Sequence, residues 1–128
     1  MHRLFQLPLF FGILFFGACK PSRMHSSGPF TGKLLTGVCS QYMVQLVSGD
    51  LDPSKYVAAW EHPVNHKIYH NVFAIRNECY FGTTNVNIGD VFQFTVEADS
   101  ARENCVVCFI YEPTPPVSNT VKVIQTIK

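Results

Sequence analysis

Four cysteines follow residue 30, and their spacing limits the chemistry that they could perform: Cys39, Cys79, Cys105 and Cys108. The last two form a C-x-x-C pair, a spacing found in redox centres, in metal sites and between separate structural cysteines. A redox pair of the thioredoxin type lies at the start of a helix, where the helix dipole lowers the thiol pKa. The neighbours of this pair are Val, Phe, Ile and Tyr, which favour a strand instead.

Disulfide formation is the chemistry that this pattern favours. In a strand, residues three apart lie about 10 Å from each other, whereas a disulfide needs Cα atoms within about 7 Å. We therefore predict two long-range disulfides, each joining one cysteine of the C-x-x-C pair to Cys39 or Cys79, with the choice of partner open. A bond within the pair would require Cys105 to lie in the preceding turn. A four-cysteine zinc site is disfavoured, because Cys39 and Cys79 lack closely spaced partners.

Three histidines recur at every fourth residue: His62, His66 and His70. On a helix this spacing would align the imidazoles along one face. A proline and an asparagine between the first two indicate a turn, however, and residues four apart in a strand span about 13 Å, too far for one metal ion. We expect surface histidines on a hairpin, and we assign no metal ligand and no cofactor. A thiol or metal site that uses Cys105 and Cys108, with His62 and His66, is the alternative.

No local motif of a catalytic site is present in the sequence. A nucleophile elbow, a phosphate-binding glycine loop and a metallohydrolase helix are all missing, and the carboxylates are scattered. We assign no catalytic residue and expect binding rather than catalysis. Tyr80 and Phe81 follow Cys79 in a predicted loop, where they form a possible apolar contact surface.

The chain begins with a short basic segment and an apolar run from residue 4 to residue 18, directly before a fifth cysteine, Cys19. This layout is that of an export signal. Phe16, three places before the predicted cut, is too large for an ordinary secretory cleavage site. The apolar run is also shorter than the about 20 residues that a membrane-spanning helix needs.

The segment Phe16-Gly17-Ala18-Cys19 resembles the lipobox of bacterial lipoproteins, with Phe16 where leucine is usual. In that motif an apolar residue and two small residues precede a cysteine that becomes diacylated. The layout of lipobox, polar linker and compact cysteine-containing β-domain resembles small uncharacterised bacterial lipoproteins. The resemblance implies a signal peptide at residues 1–18, palmitate-type acyl chains on Cys19 and a lipid anchor in the cell envelope, in the outer rather than the inner membrane. Secretion without an anchor is the alternative.

The number of cysteines agrees with lipid attachment. Five is an odd number, which in an exported protein leaves one thiol without a partner. Attachment of lipid to Cys19 leaves four cysteines, enough for two disulfides. Residues 19–29 are polar and rich in Ser, Pro and Gly, which predicts a flexible tether. Residues 30–128 then form a single domain.

The charge of the mature chain excludes one class of partner. The sequence has ten Lys and Arg residues, of which Arg3 lies in the signal segment, and nine Asp and Glu residues. The nine remaining basic residues balance the nine acidic ones, whereas a nucleic-acid binder would carry an excess of positive charge. The expected partners are the membrane, through the lipid, and another envelope protein or a glycan.

The domain itself has the pattern of a β-protein. Residues 91–97 alternate apolar and polar side chains, which predicts a half-buried antiparallel strand. Further strands are predicted at 69–76, 105–111 and 120–127. Residues 33–38 and 40–47 are predicted to form either one long strand bent at Gly37 or two paired strands. A short helix is predicted from Pro53 to about Ala59, with Trp60 in the core. Six or seven strands with at most one short helix predict an all-β fold, either a small antiparallel β-sandwich or a barrel like the oligonucleotide/oligosaccharide-binding (OB) fold.

Overall fold

The computed structural model describes residues 17, 26–101, 103, 105, 108 and 110–127. Within these residues the strands are β1 (Phe30–Val38), β2 (Gln41–Ser48), β3 (Val57–Glu61), β4 (Ile68–Ile75), β5 (Val91–Val96), β6 (Ser118–Asn119) and β7 (Val121–Ile127). A 3₁₀ helix spans Pro53–Lys55, and the α-helix α1 spans Glu78–Gly82. In the described part of the chain, no helix has both the length and the apolar character needed to cross a membrane. Cys19 and most of the predicted signal peptide and tether lie outside the described residues.

All seven strands belong to one sheet. β1 pairs antiparallel with β2 and β5, β2 also pairs with β4, and β5 also pairs with β7. β6 pairs parallel with β4, and only Thr120 separates it from β7. Residues 118–127 are therefore hydrogen-bonded to β4 through β6 and to β5 through β7. These bonds close the sheet in the order β1-β2-β4-β6/β7-β5.

The predicted all-β fold is confirmed, with seven strands in the described residues and one short α-helix. The closure through β6 and β7 agrees with a barrel, the second of the two predicted architectures. β3 is an additional strand, which pairs with the first half of β4 at the edge of the sheet. The predicted strands at 69–76, 91–97 and 120–127 are confirmed, with ends that differ by one residue at most. Of the two alternatives for residues 33–38 and 40–47, the structure has two paired strands rather than one bent strand.

Asn77 extends the seam that closes the barrel. Its side-chain oxygen accepts a hydrogen bond from the backbone N–H of Val121 at 3.0 Å, and its side-chain amide donates to the carbonyl of Val121 at 2.7 Å. The Asn77 side chain is buried and thus replaces a strand residue as the partner of β7. Next to it, the backbone N–H of Arg76 donates to the carbonyl of Asn119 at 2.8 Å. These bonds satisfy backbone groups that would otherwise be buried without partners.

Phenylalanine rings fill the centre of the barrel. The ring of Phe94 on β5 lies 5.6 Å from that of Phe30, 5.7 Å from that of Phe73 and 5.5 Å from that of Phe92. Because β4 and β5 are not neighbours in the sheet, the contact between Phe73 and Phe94 crosses the interior. Gly32 on β1 faces the same rings, and an added Cβ atom there would lie 2.9 Å from Cε1 of Phe94. The interior is therefore close-packed at this point.

Three predicted elements are wrong. The described residues of the run 105–111 are not in a strand; the disulfides described below hold this segment, so its β-propensity does not decide its conformation. The helix that begins at Pro53 ends at Lys55, because the chain from Val57 onward pairs with β4 instead. Trp60 is half-buried rather than in the core, because β3 lies at the edge of the sheet.

Replacement of the central ring tests this packing. We expect Phe94→Ala to lower the free energy of unfolding by about 3–5 kcal/mol, because a cavity would replace three ring contacts. The exposed Ile124 on β7 provides the matched control, and Ile124→Ala should change stability by less than about 0.5 kcal/mol. Urea denaturation without reductant measures both. Equal effects of the two substitutions would contradict a phenylalanine core.

Candidate functional site

Two disulfides join distant parts of the chain. Cys39 is bonded to Cys108, with Cα atoms 5.3 Å apart, and Cys79 is bonded to Cys105, with Cα atoms 5.4 Å apart. The prediction of two long-range disulfides, each using one cysteine of the C-x-x-C pair, is confirmed. The structure also gives the pairing, which the sequence left open.

The disulfides hold the segment between β5 and β6, residues 97–117, here called the β5–β6 connection. Cys39 lies in the two-residue turn between β1 and β2, where Cys39 and Ser40 have φ values of 52° and 64°. Such a pair of positive φ values is typical of the tight turns of β-hairpins. Cys79 lies in α1. The connection is therefore tied to α1 at Cys105 and to the hairpin turn at Cys108.

A cavity of about 340 Å³ opens where the hairpin turn, α1 and the β5–β6 connection meet. Its lining consists of Cys39, Gln41, Tyr42, Ala74, Ile75, Glu78, Glu103, Tyr111, Glu112 and Thr114. Three of these residues carry carboxylates and two carry phenol rings. None of the described residues in this lining is Lys, Arg or His. The polar part of the described lining therefore consists of carboxylate, hydroxyl and amide groups.

Two of the carboxylates are fixed by hydrogen-bond donors of the domain. Oε2 of Glu103 accepts from the backbone N–H groups of Cys79 at 3.0 Å and Tyr80 at 3.2 Å, in the first turn of α1. These N–H groups have no partner within the helix, so the carboxylate caps it. Oε1 of Glu112 lies 3.3 Å from Nε2 of His62. Both carboxylates are thus positioned by the disulfide-bound connection.

One group of residues has the composition of a metal site. The sulfurs of Cys79 and Cys105 and a carboxylate oxygen of Glu103 all lie within 4.8 Å of one another. The two sulfurs are bonded to each other, however, and metal ions bind cysteine as the thiolate. The arrangement could hold a metal ion only after reduction of the disulfide.

The histidines do not form a cluster. His62 has a structural role that the sequence did not predict. His62, expected at the surface, is 5% exposed. Its Nδ1 accepts from the backbone N–H groups of Val64 at 3.2 Å and Asn65 at 3.3 Å, which leaves Nε2 to donate to Glu112. His66 is exposed as expected, with Nδ1 3.2 Å from Oε1 of Glu61. His62 therefore closes the turn between β3 and β4, as an Asx side chain closes a turn.

The prediction that Tyr80 and Phe81 lie in an exposed contact loop is wrong: the segment is not a loop, and only Tyr80 is exposed. Both residues lie in α1. Phe81 is 1% exposed, and its ring lies 4.8 Å from that of Tyr42 and 5.7 Å from that of Phe92. Tyr80 is partly exposed, and its hydroxyl accepts a hydrogen bond from the backbone of Val123 at 3.1 Å. Phe81 therefore belongs to the core, because the amphipathic turn of α1 packs it against the barrel.

Comparisons with known proteins add no relative to this description. No protein-family model, no curated protein and no solved structure matches the chain. The residues of the cavity are therefore interpreted from their geometry alone.

Removal of either disulfide should destabilise the domain. The bonds close loops of 69 and 26 residues, which in the chain-entropy description contribute about 4 and about 3.5 kcal/mol. We expect Cys39→Ala/Cys108→Ala and Cys79→Ala/Cys105→Ala each to lower the free energy of unfolding by about these amounts. Urea denaturation without reductant is the measurement, and reduced wild-type protein is the control. A loss below about 1 kcal/mol for either double variant would contradict the pairing.

The two histidines of the turn should differ in their effect on stability. His62→Ala removes a buried side chain that accepts from two N–H groups of the turn and donates to Glu112, so we expect a loss of about 1–3 kcal/mol. His66→Ala removes an exposed contact and should change stability by less than about 0.5 kcal/mol. Thermal unfolding, with and without added Zn²⁺, measures both effects. If Zn²⁺ stabilised the wild type but neither variant, the two histidines would instead share a metal ion.

Proposed function

We propose that this protein is a lipid-anchored protein of the bacterial cell envelope, whose β-domain is a non-catalytic binding or structural module. The observation that carries the proposal is the pairing of the cysteines. Two disulfides use the four cysteines of the domain, which leaves Cys19 as the fifth. Disulfides form and persist in oxidising compartments such as the envelope, and lipid attachment gives the fifth cysteine a role.

The N-terminal sequence supports the same proposal. The apolar run before Cys19 is a signal peptide at residues 1–18, and residues 19–29 are the tether that links the lipid to the barrel. Each buried methylene of an acyl chain contributes about 0.8 kcal/mol, and two or more chains give a lasting anchor. The location proposed is the outer membrane, with a secreted protein as the alternative.

We infer binding rather than catalysis because polar groups of the cavity are already engaged in bonds within the domain. Glu103 and Glu112 are held by donors of the domain, and the sulfur of Cys39 is in a disulfide. These groups present fixed acceptors and apolar walls to a ligand. The partners that we propose are the membrane, through the lipid, and another envelope protein or a glycan. The balanced charge of the mature chain argues against nucleic acid.

A thiol or metal protein is the second candidate. It would use Cys105 and Cys108, with His62 and His66, and the closeness of Glu103 to a cysteine pair favours it in one respect. It requires reduced cysteines, so a thiol count on the native protein separates the two proposals. Zero free thiols and no bound metal support the binding module.

Substitution of the proposed lipid-bearing residue tests the anchor. We expect the wild-type protein, expressed in a bacterium, to sediment with membranes and to require detergent for extraction. Cys19→Ser should appear as an unprocessed precursor of higher mass or in the soluble fraction, because serine cannot form the thioether to the lipid. Met24→Ser, in the same polar segment, is the matched control and should behave as the wild type. Equal membrane association and equal mass of the wild type and Cys19→Ser would contradict lipid attachment at this residue.

A further inference from the structure

One edge of the sheet lacks the features that usually prevent pairing with another chain. β3 pairs with β4 alone, its sequence contains no proline and no lysine, and its register with β4 has no shift. Proteins use prolines, lysines and bulges to protect an edge strand. At β7, by contrast, the side chains of Asn77 and Tyr80 bond to backbone groups of Val121 and Val123. Of these two strands, β3 is therefore the one whose outer edge suits a further strand.

Two hydrogen bonds fix the direction of the backbone groups of β3. The N–H of His62 donates to the carbonyl of Lys67 at 2.9 Å, so His62 faces β4 and the preceding Glu61 faces away from it. The carbonyl of His70 accepts from a side chain of β2 at 3.2 Å, so its partner Ala59 also faces away from β4. The N–H and C=O groups of Ala59 and Glu61 thus point outward. No hydrogen bond joins them to another residue of the described chain.

The side chains along β3 leave this edge accessible. Ala58, Ala59 and Glu61 are exposed, and Trp60 is half-buried. The ring of Trp60 lies 6.2 Å from that of Tyr69, its partner on β4. Aromatic pairs across neighbouring strands stabilise a sheet. A further ring on the outer side of Trp60 would extend this aromatic row.

We propose that β3 pairs antiparallel with β3 of a second copy of the chain, about a two-fold axis at Trp60. Ala59 of each copy exchanges both backbone hydrogen bonds with Glu61 of the other copy. The two Trp60 side chains lie opposite each other at the axis, in a non-hydrogen-bonded pair, where side chains are closest. The sheets of the two copies become continuous through an isologous interface.

The pattern of β3 favours a second copy in this register. Because Ala59 and Glu61 flank Trp60, each copy presents the donors and acceptors that the other needs. An axis at Glu61 would place two carboxylates directly opposite, and an axis at Ala59 would separate the Trp60 rings. With the axis at Trp60, the small side chain of Ala59 lies opposite Glu61. The two carboxylates are then only diagonal to each other, and both are exposed to screening by salt.

Sedimentation equilibrium of the full-length protein in density-matched detergent micelles tests the proposal. The edge has five residues, which bury less area than a standard interface, so we expect a weak dimer with a Kd of about 10–100 μM. Trp60 is the only tryptophan of the chain. Its fluorescence should therefore shift to shorter wavelength as the concentration rises, in step with the dimer.

Substitutions at the exposed Ala59 test the register. Ala59→Glu would face Glu61 of the other copy and should raise the Kd by about fivefold or more, whereas Ala59→Lys would face the same carboxylate with opposite charge and should dimerise at least as tightly as the wild type. Ala59→Pro removes the outward N–H but no bond to β4, and it should raise the Kd by about tenfold or more. Urea denaturation checks that all three variants are folded.

Ile124→Glu is the matched control, because Ile124 is equally exposed but lies on β7. It should dimerise as the wild type does. A monomer at every concentration up to about 0.5 mM, equal effects of Ala59→Glu and Ala59→Lys, or a dimer that only Ile124→Glu weakens would overturn the proposal. Cys19→Ser should dimerise as the wild type does, because the edge does not include Cys19. Failure of this inference is therefore distinguishable from failure of the proposed anchor.

Discussion

Two covalent bonds hold the β5–β6 connection against the barrel, and the rest of the structure depends on them. The described residues of this connection contain no strand or helix of their own. The Cys39–Cys108 and Cys79–Cys105 bonds fix it to the hairpin turn and to α1. The chain that follows it forms β6, which pairs with β4 and allows β7 to close the barrel. Because the connection also supplies Glu103, Tyr111 and Glu112, the same bonds build one wall of the cavity.

The disulfides link the fold to the proposed location. A domain of this size does not need covalent bonds in order to bury a core, and here the phenylalanine cluster supplies one. The disulfides instead order a segment that the core does not reach, and they persist only where the environment is oxidising. In the proposed function, the fifth cysteine, Cys19, is the residue that ties the domain to the membrane. Ser27, the described residue nearest to the proposed anchor that bonds to the barrel, and the cavity lie at opposite ends of β1, so the proposed anchor would leave the cavity on the side away from the bilayer.

The sequence predicted those features that follow from local pattern. The alternation in residues 91–97 gave β5, and the geometry of a C-x-x-C outside a helix gave long-range disulfides. The sequence could not predict which cysteines pair, because four cysteines allow three connectivities. The β-propensity of residues 105–111 predicted a strand. The prediction was wrong because the two disulfides constrain this segment and override its propensity. The cavity could not be found, because hairpin, β4, α1 and the β5–β6 connection contribute to it from distant positions. The role of His62 was only weakly indicated by the sequence: the residue directly precedes the turn whose backbone N–H groups it accepts from.

Mass spectrometry of the protein extracted from membranes, digested without reduction, is the most direct test of the central claim. The claim is that one cysteine carries lipid while the other four form two disulfides. The predicted result is an N-terminal peptide that begins with acylated Cys19, together with peptides that join Cys39 to Cys108 and Cys79 to Cys105. An unmodified Cys19, or a peptide in which Cys105 is bonded to Cys108, would contradict it.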